Sequence, residues 1–327
     1  MEKNFFARLA KGSGALGLAL LAWAPQAHAA WPSDAPIQVV VGFAPGGTTD
    51  IMARTIAPFI AKHLGDGANL AIMNKPGAGG EISVAQVMRA KPDGYTIGIV
   101  NLPGYFFLPM HRKTSYTTKD LTLVARVVSD PTVVVTRKDG PYTSLQQVVG
   151  QLKKDPQSVS GGHNGIGTNG HIAMINFDKA AQVQINSIPY SGNAQQRTAL
   201  VSKQLDLAFM SASDMMNPEA EPVPLRMLSQ FTRSKVERLG DVPSSFEQGY
   251  PVEMTAERGF AAPNNVPAPI LARLQKAIEA AIKDPEYVKA ARNDAPFLSY
   301  LDGASWSAAI ERELPAYEAI AKTLPKD

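Results

Sequence analysis

The sequence predicts an α/β fold in which short strands alternate with helices and pair mainly in parallel, laid out as two similar series. Three observations carry this expectation. Short apolar runs end in loops rich in Gly and Pro, each loop leads into a segment with helical spacing of apolar residues, and the alternation begins again near Pro131. The composition agrees, since 45% of the 327 residues are hydrophobic and 19% are charged, a globular balance.

In the first series Ile37–Phe43 reads as a buried strand, followed by Ala44-Pro45-Gly46-Gly47 and a helix from about Thr49. Met52, Ile56 and Ile60 recur at helical spacing there, Thr48 or Thr49 is the expected N-cap, and Pro58 should kink or shorten the helix. Leu70–Met73 is the next strand, ahead of the turn-rich stretch 74–80 and a helix over Glu81–Arg89. Tyr95–Val100 is the third strand. The second series places a strand at Thr132–Thr136, a helix at Ser144–Lys153 and a short strand at Ser158–Gly161. A helix from His171, a strand around Val183–Ile188, a helix over Ala194–Lys203 and a strand over Leu205–Phe209 complete it. Two amphipathic helices end the chain, one striped by Ile270, Leu274, Ile278 and Ile282, the other by Trp306, Ile310, Leu314, Tyr317 and Ile320.

Residues 1–29 read as an export signal. Lys3, Arg8 and Lys11 give a positive start, Gly14–Trp23 is an apolar run too short to span a bilayer, and Ala27-His28-Ala29 offers the small residues a signal peptidase reads. Most of the net charge of +3 lies in that segment, so the remainder is close to neutral and has no electrostatic reason to seek nucleic acid. With no cysteine, the chain has no disulfide, no thiolate metal site and no lipidated Cys. The expected product is a soluble periplasmic protein.

The most glycine-rich segments, 44–48, 75–80, 161–170 and 190–193, fall between strands and helices. In open α/β sheets ligands bind at the carboxyl ends of strands beside helix N-termini, where glycine lets main-chain N–H groups approach one acceptor. Several such loops around one cleft describe a receptor for an anion such as a carboxylate. Nucleotide motifs are weaker: Gly165-x-Gly167-x-x-Gly170 matches a dinucleotide spacing but sits mid-chain in an exported protein, and no phosphate-loop pattern occurs. No nucleophile elbow or paired-His metal motif is present, so no catalytic residue, metal or cofactor is expected. His163, inside a Gly-rich loop, and Arg258 are the candidate cationic contacts to an anion.

These loops resemble those of the extracytoplasmic solute receptors of tripartite tricarboxylate transporters, the Bordetella uptake gene (Bug) receptors. The likeness runs from Trp31 to the C-terminus. It rests on Val41-Gly42-Phe43-Ala44-Pro45-Gly46-Gly47-Thr48-Thr49-Asp50, Asn74-Lys75-Pro76-Gly77-Ala78-Gly79-Gly80, Lys91-Pro92-Asp93-Gly94-Tyr95-Thr96, Gly165-Ile166-Gly167-Thr168, Pro189-Tyr190-Ser191-Gly192 and Gly259-Phe260-Ala261-Ala262-Pro263. The resemblance implies a two-lobed periplasmic-binding-protein (Venus flytrap) fold, each lobe a mainly parallel sheet flanked by helices, with the ligand in the cleft. By carry-over, residues 31–130 plus 235–327 form lobe 1 and 131–234 lobe 2.

The implied ligand contacts are Phe43, Ala44, Gly46, Gly47, Thr48 and Asn101 from lobe 1. His163, Asn164, Gly167, Thr168, Tyr190, Ser211 and Asp214 face them from lobe 2, with Arg258 between. The implied partner is the integral membrane part of a tripartite tricarboxylate permease, served by a monomeric receptor with no chemistry of its own. Amino-acid-binding relatives carry an acidic residue directly after the strand ending at Phe209. Met210-Ser211-Ala212-Ser213 stands there instead, which speaks against an amino acid, and a cationic Arg258 with His163 would suit a second carboxylate, hence a dicarboxylate. Phe43, Phe106, Phe107, Tyr190 and Phe209 are expected as flat apolar walls, which leans the reading toward an aromatic acid such as terephthalate. The competing classes are a periplasmic enzyme acting on a small organic acid and the ectodomain of a ligand-sensing signalling receptor.

Overall fold

The computed structural model describes residues 31–216 and 224–324, so the export signal read at residues 1–29 lies outside the described residues. β1 (Ile37–Val41) leads to α1 (Thr48–Leu64), β2 (Leu70–Asn74) to α2 (Glu81–Met88), and β3 (Thr96–Leu102) to α3 (Gly104–His111). Next come β4 (Leu121–Arg137), α4 (Leu145–Lys154), β5 (Ser160–His163), α5 (Asn169–Ala181), β6 (Asn186–Pro189), α6 (Asn193–Val201) and β7 (Leu207–Ser211). The chain ends with β8 (Leu225–Gln230), β9 (Thr255–Pro263), α7 (Ala268–Lys283), α8 (Pro285–Ala290), β10 (Leu298–Asp302) and α9 (Gly303–Ala321).

The strands run in the order β2-β1-β3-β9-β4-β7-β5-β6, with β8 and β10 also on β4. The 17-residue β4 belongs to two sheets: residues 121–131 pair with β9, and residues from Thr132 pair with β7 and β8. Each sheet is mixed rather than mainly parallel. β2-β1-β3 and β7-β5-β6 are the parallel parts, while β4, β8, β9 and β10 pair antiparallel. Parallel neighbours need a crossover helix between them; β4 and β9 instead carry the chain from one sheet to the other and back, so they run against their neighbours.

The two crossings lie side by side. Thr132 N donates to Met254 O at 2.9 Å, Met254 N to Phe231 O at 3.0 Å and Phe231 N to Thr132 O at 2.8 Å. Pro131 is tolerated inside β4 because it stands where the strand changes partners. The chain returns to the first sheet at Thr255, where β9 begins. Until then the chain stays bonded to β8, through Gln230 N to Pro243 O and Ser245 N to Gln230 O.

Packing follows the apolar stripes. Ile56 and Ile60 of α1, Leu274 and Ile278 of α7 and Tyr287 of α8 bury one face of the first sheet. Val84 of α2, Phe106 of α3, and Trp306 and Ile310 of α9 bury the other. Fully burying one such side chain stabilises the fold by about 1.5–3 kcal/mol. This outweighs the hydrogen bond lost at Pro58, which sits exposed inside α1 without ending it. In the second lobe Val148 and Leu152 of α4 pack with Ile172 and Phe177 of α5, and Leu200 of α6 covers the opposite face. Tyr317, Ile320 and Ala321, at the far end of α9, join this second core.

Candidate functional site

The loop after β1 is held from behind by a carboxylate. Asp50, in the first turn of α1, accepts from Gly46 N–H at 2.9 Å, from Arg54 Nε at 3.0 Å and from Asn74 Nδ2 at 2.8 Å. Asn74 Nδ2 also reaches Phe43 O at 3.0 Å, so Asn74, Asp50 and Arg54 together fix the loop. Burial alone would raise the Asp50 carboxyl; the hydrogen bonds from Arg54, Gly46 and Asn74 more than offset it and hold the group below its usual range. Gly46 has φ +80°, the left-handed bend that turns the loop toward the helix. Ala44, Pro45, Gly46 and Gly47 are exposed. The N-cap is Gly47, not Thr48 or Thr49, and no side chain caps the helix. Ile51 N–H is bonded to Gly47 O, so the N–H groups of Thr48, Thr49 and Asp50 have no intrahelical acceptor.

Asn101, at the end of β3, donates through Nδ2 to Thr49 Oγ1 at 2.8 Å. Its Oδ1 is buried without a partner among the described residues. Arg258 is its register partner on β9.

The second lobe presents the corresponding strand ends. Gly165 and Gly167 adopt positive φ, Thr168 Oγ1 donates to Gly165 O at 2.7 Å, and Thr168 is the N-cap of α5. Asn169 Nδ2 donates to Thr132 Oγ1 at 2.8 Å and lies 3.5 Å from Ser211 Oγ. Asn193, the first residue of α6, donates to the half-buried Asp214, and Arg197 donates to Asp214 O. Burial pushes Asp214 up to about 6. Asn164 is half-buried, its Oδ1 also unpartnered among the described residues. Tyr190 is half-buried, with its N–H on His163 O. The lobes meet beside these loops, where a Cβ on Gly167 would lie 2.6 Å from Phe107 Cδ1.

The two expected cations are both buried. His163 is 1% exposed; Nδ1 lies 3.1 Å from Gly165 O and Nε2 lies 3.1 Å from Ser187 Oγ. Its ring lies against that of His171, centroids 4.5 Å apart and planes tilted by 36°, and burial lowers His163 to about 4 and His171 to about 3. It therefore stays neutral and shapes the loop. Arg258 is 2% exposed, with Nη2 on Asp130 and Asp294, while its Nε and Nη1 have no partner among the described residues. Nor do the rings form a wall: Phe106, Phe107 and Phe209 are buried in the cores, leaving half-buried Phe43 and Tyr190 near the loops. Sequence reasoning missed Asn74, Asp130, Thr132, Asn169 and Ser213. Asn74 opens a recognised motif and Asn169 follows another, whereas Asp130 and Ser213 gain meaning only once the sheets meet.

The histidine pair gives a stability prediction. Both folded values lie below the unfolded 6.5, so the stability they allow is complete above that pH and is lost as pH falls through 6.5 toward 4. By pH 5 each should cost roughly 2 kcal/mol. Asp130 and Asp178, both raised to about 7, work in the opposite sense, so the pair is isolated by a difference. Urea midpoints of wild type and His171→Gln between pH 7.5 and 5 should converge as pH falls; parallel curves would reject the assignment.

Residues 52–303 match the family described as Tripartite tricarboxylate transporter family receptor. A UPF0065 protein of Bordetella pertussis is 30% identical over 279 residues, covering 85% of each chain. Among solved structures, an R. palustris protein with adipate superposes with a TM-score of 0.80 at 26% identity, over 90% of this chain and 98% of that one. MatC of Rhodopseudomonas palustris with bound malate gives a TM-score of 0.75 at 25% identity, over 88% and 98%.

Proposed function

We propose, from the premise that the chain belongs to the tripartite tricarboxylate transporter receptor family, that it captures a small dicarboxylate between its lobes and delivers it to the integral membrane subunits of a permease. The carrying observation is the Phe43–Thr48 loop: an exposed turn opening onto helix N–H groups that have no intrahelical acceptor, with the Asp50 charge balanced by Arg54 behind it. One ligand carboxylate sits there, and the N-termini of α5 and α6 receive the second. Relatives holding malate and adipate support an acid of this class. With three of the expected rings in the cores, an aliphatic chain is favoured over terephthalate. The protein works in the periplasm as a monomer and leaves its ligand unchanged.

A thermal-shift screen of malate, adipate, citrate, terephthalate and aspartate tests this. Ligand at a hundredfold over Kd adds about 2.7 kcal/mol of stability, a shift of several degrees. A rise with one dicarboxylate is expected; a flat panel would overturn the reading. Gly47→Val should abolish that rise while leaving the unliganded midpoint close to wild type. Its added Cβ meets only Ala44 O at 3.4 Å, and Gly47 has an ordinary φ of −77°. Gly46→Val is the poorer choice because φ +80° would strain any side chain there.

A further inference from the structure

A buried line of polar contacts runs across the place where β4 passes from one sheet to the other. Asp294, between α8 and β10, accepts from Arg258 Nη2 at 2.8 Å, and the same nitrogen reaches Asp130 Oδ2 at 3.1 Å. Asp130 Oδ1 then accepts from Ser213 N–H at 3.2 Å, and Oδ2 from Ser213 Oγ. Asp130 and Ser213 are 0% exposed. Asp130 pairs with Ala256 of β9 in the first sheet, and two residues later Thr132 pairs with Ser211 of β7 in the second. One carboxylate on the crossing strand therefore grips a guanidinium of the first sheet on one side and the turn after β7 on the other.

The backbone at the crossings is two hydrogen-bonded segments, a ribbon that can bend. The side-chain line restrains it: two donors of Ser213 fix the orientation of the Asp130 carboxylate, and the buried guanidinium is immobilised by Asp294. We infer that Asp130 is a positioning residue that holds the Ser211–Asp214 turn against Arg258 and so sets the angle at which the lobes close. Its bearing on ligand capture rests on the cleft reading above, but the angle itself is measurable without ligand. Asp294 supplies an internal control, since it anchors Arg258 within the first lobe and does not touch the turn.

The absence of native cysteine permits labelling at Lys91→Cys and Lys154→Cys, exposed positions of the first and second lobes. Pulsed dipolar spectroscopy of the ligand-free, spin-labelled protein reads the distance between them. Asp130→Asn and Ser213→Ala should each move or broaden the distribution by more than about 2 Å. Asp294→Asn should lower the urea midpoint and leave the distance unchanged. Wild-type distances in folded Asp130→Asn and Ser213→Ala would overturn the inference, as would an equal shift in Asp294→Asn. If Asp130→Asn does not fold, Ser213→Ala, which leaves the buried charges in place, decides alone. A flat carboxylate screen would remove the ligand reading without moving these distances, so the two failures are distinguishable.

Discussion

Gly170→Ala, inside the first turn of α5, is expected to lower folding stability by about 3 kcal/mol, while Gly192→Ala, at the N-cap of α6, costs no more than about 1 kcal/mol. A Cβ at Gly170 would lie 2.2 Å from Phe209 O and 3.1 Å from Phe209 C, main-chain atoms of β7 that cannot rotate away. At Gly192 nothing lies within 4 Å, and its φ of 170° is extended backbone open to any residue. Helix propensity alone predicts the opposite sign at Gly170, a gain of about 1 kcal/mol. The bare glycine lets α5 rest directly on β7, so displacing the helix also moves Thr168 and Asn169 at its N-terminus. Dicarboxylate affinity should fall with stability in Gly170→Ala and hold in Gly192→Ala. Urea unfolding and titration calorimetry check both; equal midpoints for the two variants would remove the packing argument.

Arg258→Met is expected to cost about 3–5 kcal/mol, the range for removing one member of a buried ion pair. The loss comes from what stays behind, the buried carboxyls of Asp130 and Asp294 without their cation. Burial pushes Asp130 up to about 7 despite Arg258 and raises Asp294 as well. A carboxyl raised above its unfolded value gives stability that is complete below the unfolded pKa and is lost as pH rises through the folded one. Removing Arg258 raises both further, so the deficit of the variant should be larger at pH 8 than at pH 5. Urea midpoints at those two pH values test the sign, and a pH-independent deficit would show that lost packing dominates.

The elements legible in the sequence were those whose pattern is local. The α1, α7 and α9 stripes and the parallel strands β1, β2 and β3 follow from apolar spacing within one segment. What was hidden depends on partners far along the chain. β4 read as a strand only from Thr132, because Pro131 argues against a continuous ladder until β9 and β7 are seen to divide it. β9 carries Glu257, Arg258 and Gly259 in a row, and no alternation marks it; Gly259 is required by Trp306, which a Cβ would meet at 2.6 Å. Among the candidate ligand residues, the glycine turns and helix starts were legible because backbone geometry is written in residue type. The partners of Arg258 were not, because Asp130 and Asp294 lie 128 and 36 residues away along the chain.

Trp306 and Ile310 seat one end of α9 in the first core, and Tyr317, Ile320 and Ala321 seat the other end in the second. A helix is a stiff rod, but α9 carries Pro315 between its two seats, where a main-chain hydrogen bond is missing, so it acts as a splint with one weak joint. Rotation of the lobes must then turn about an axis close to α9, bend the helix at Pro315 or slide apolar side chains at one of its ends. Emptying the receptor is thus a matter of shear as well as flexure, and the friction of the moving part resides in the last turns of α9.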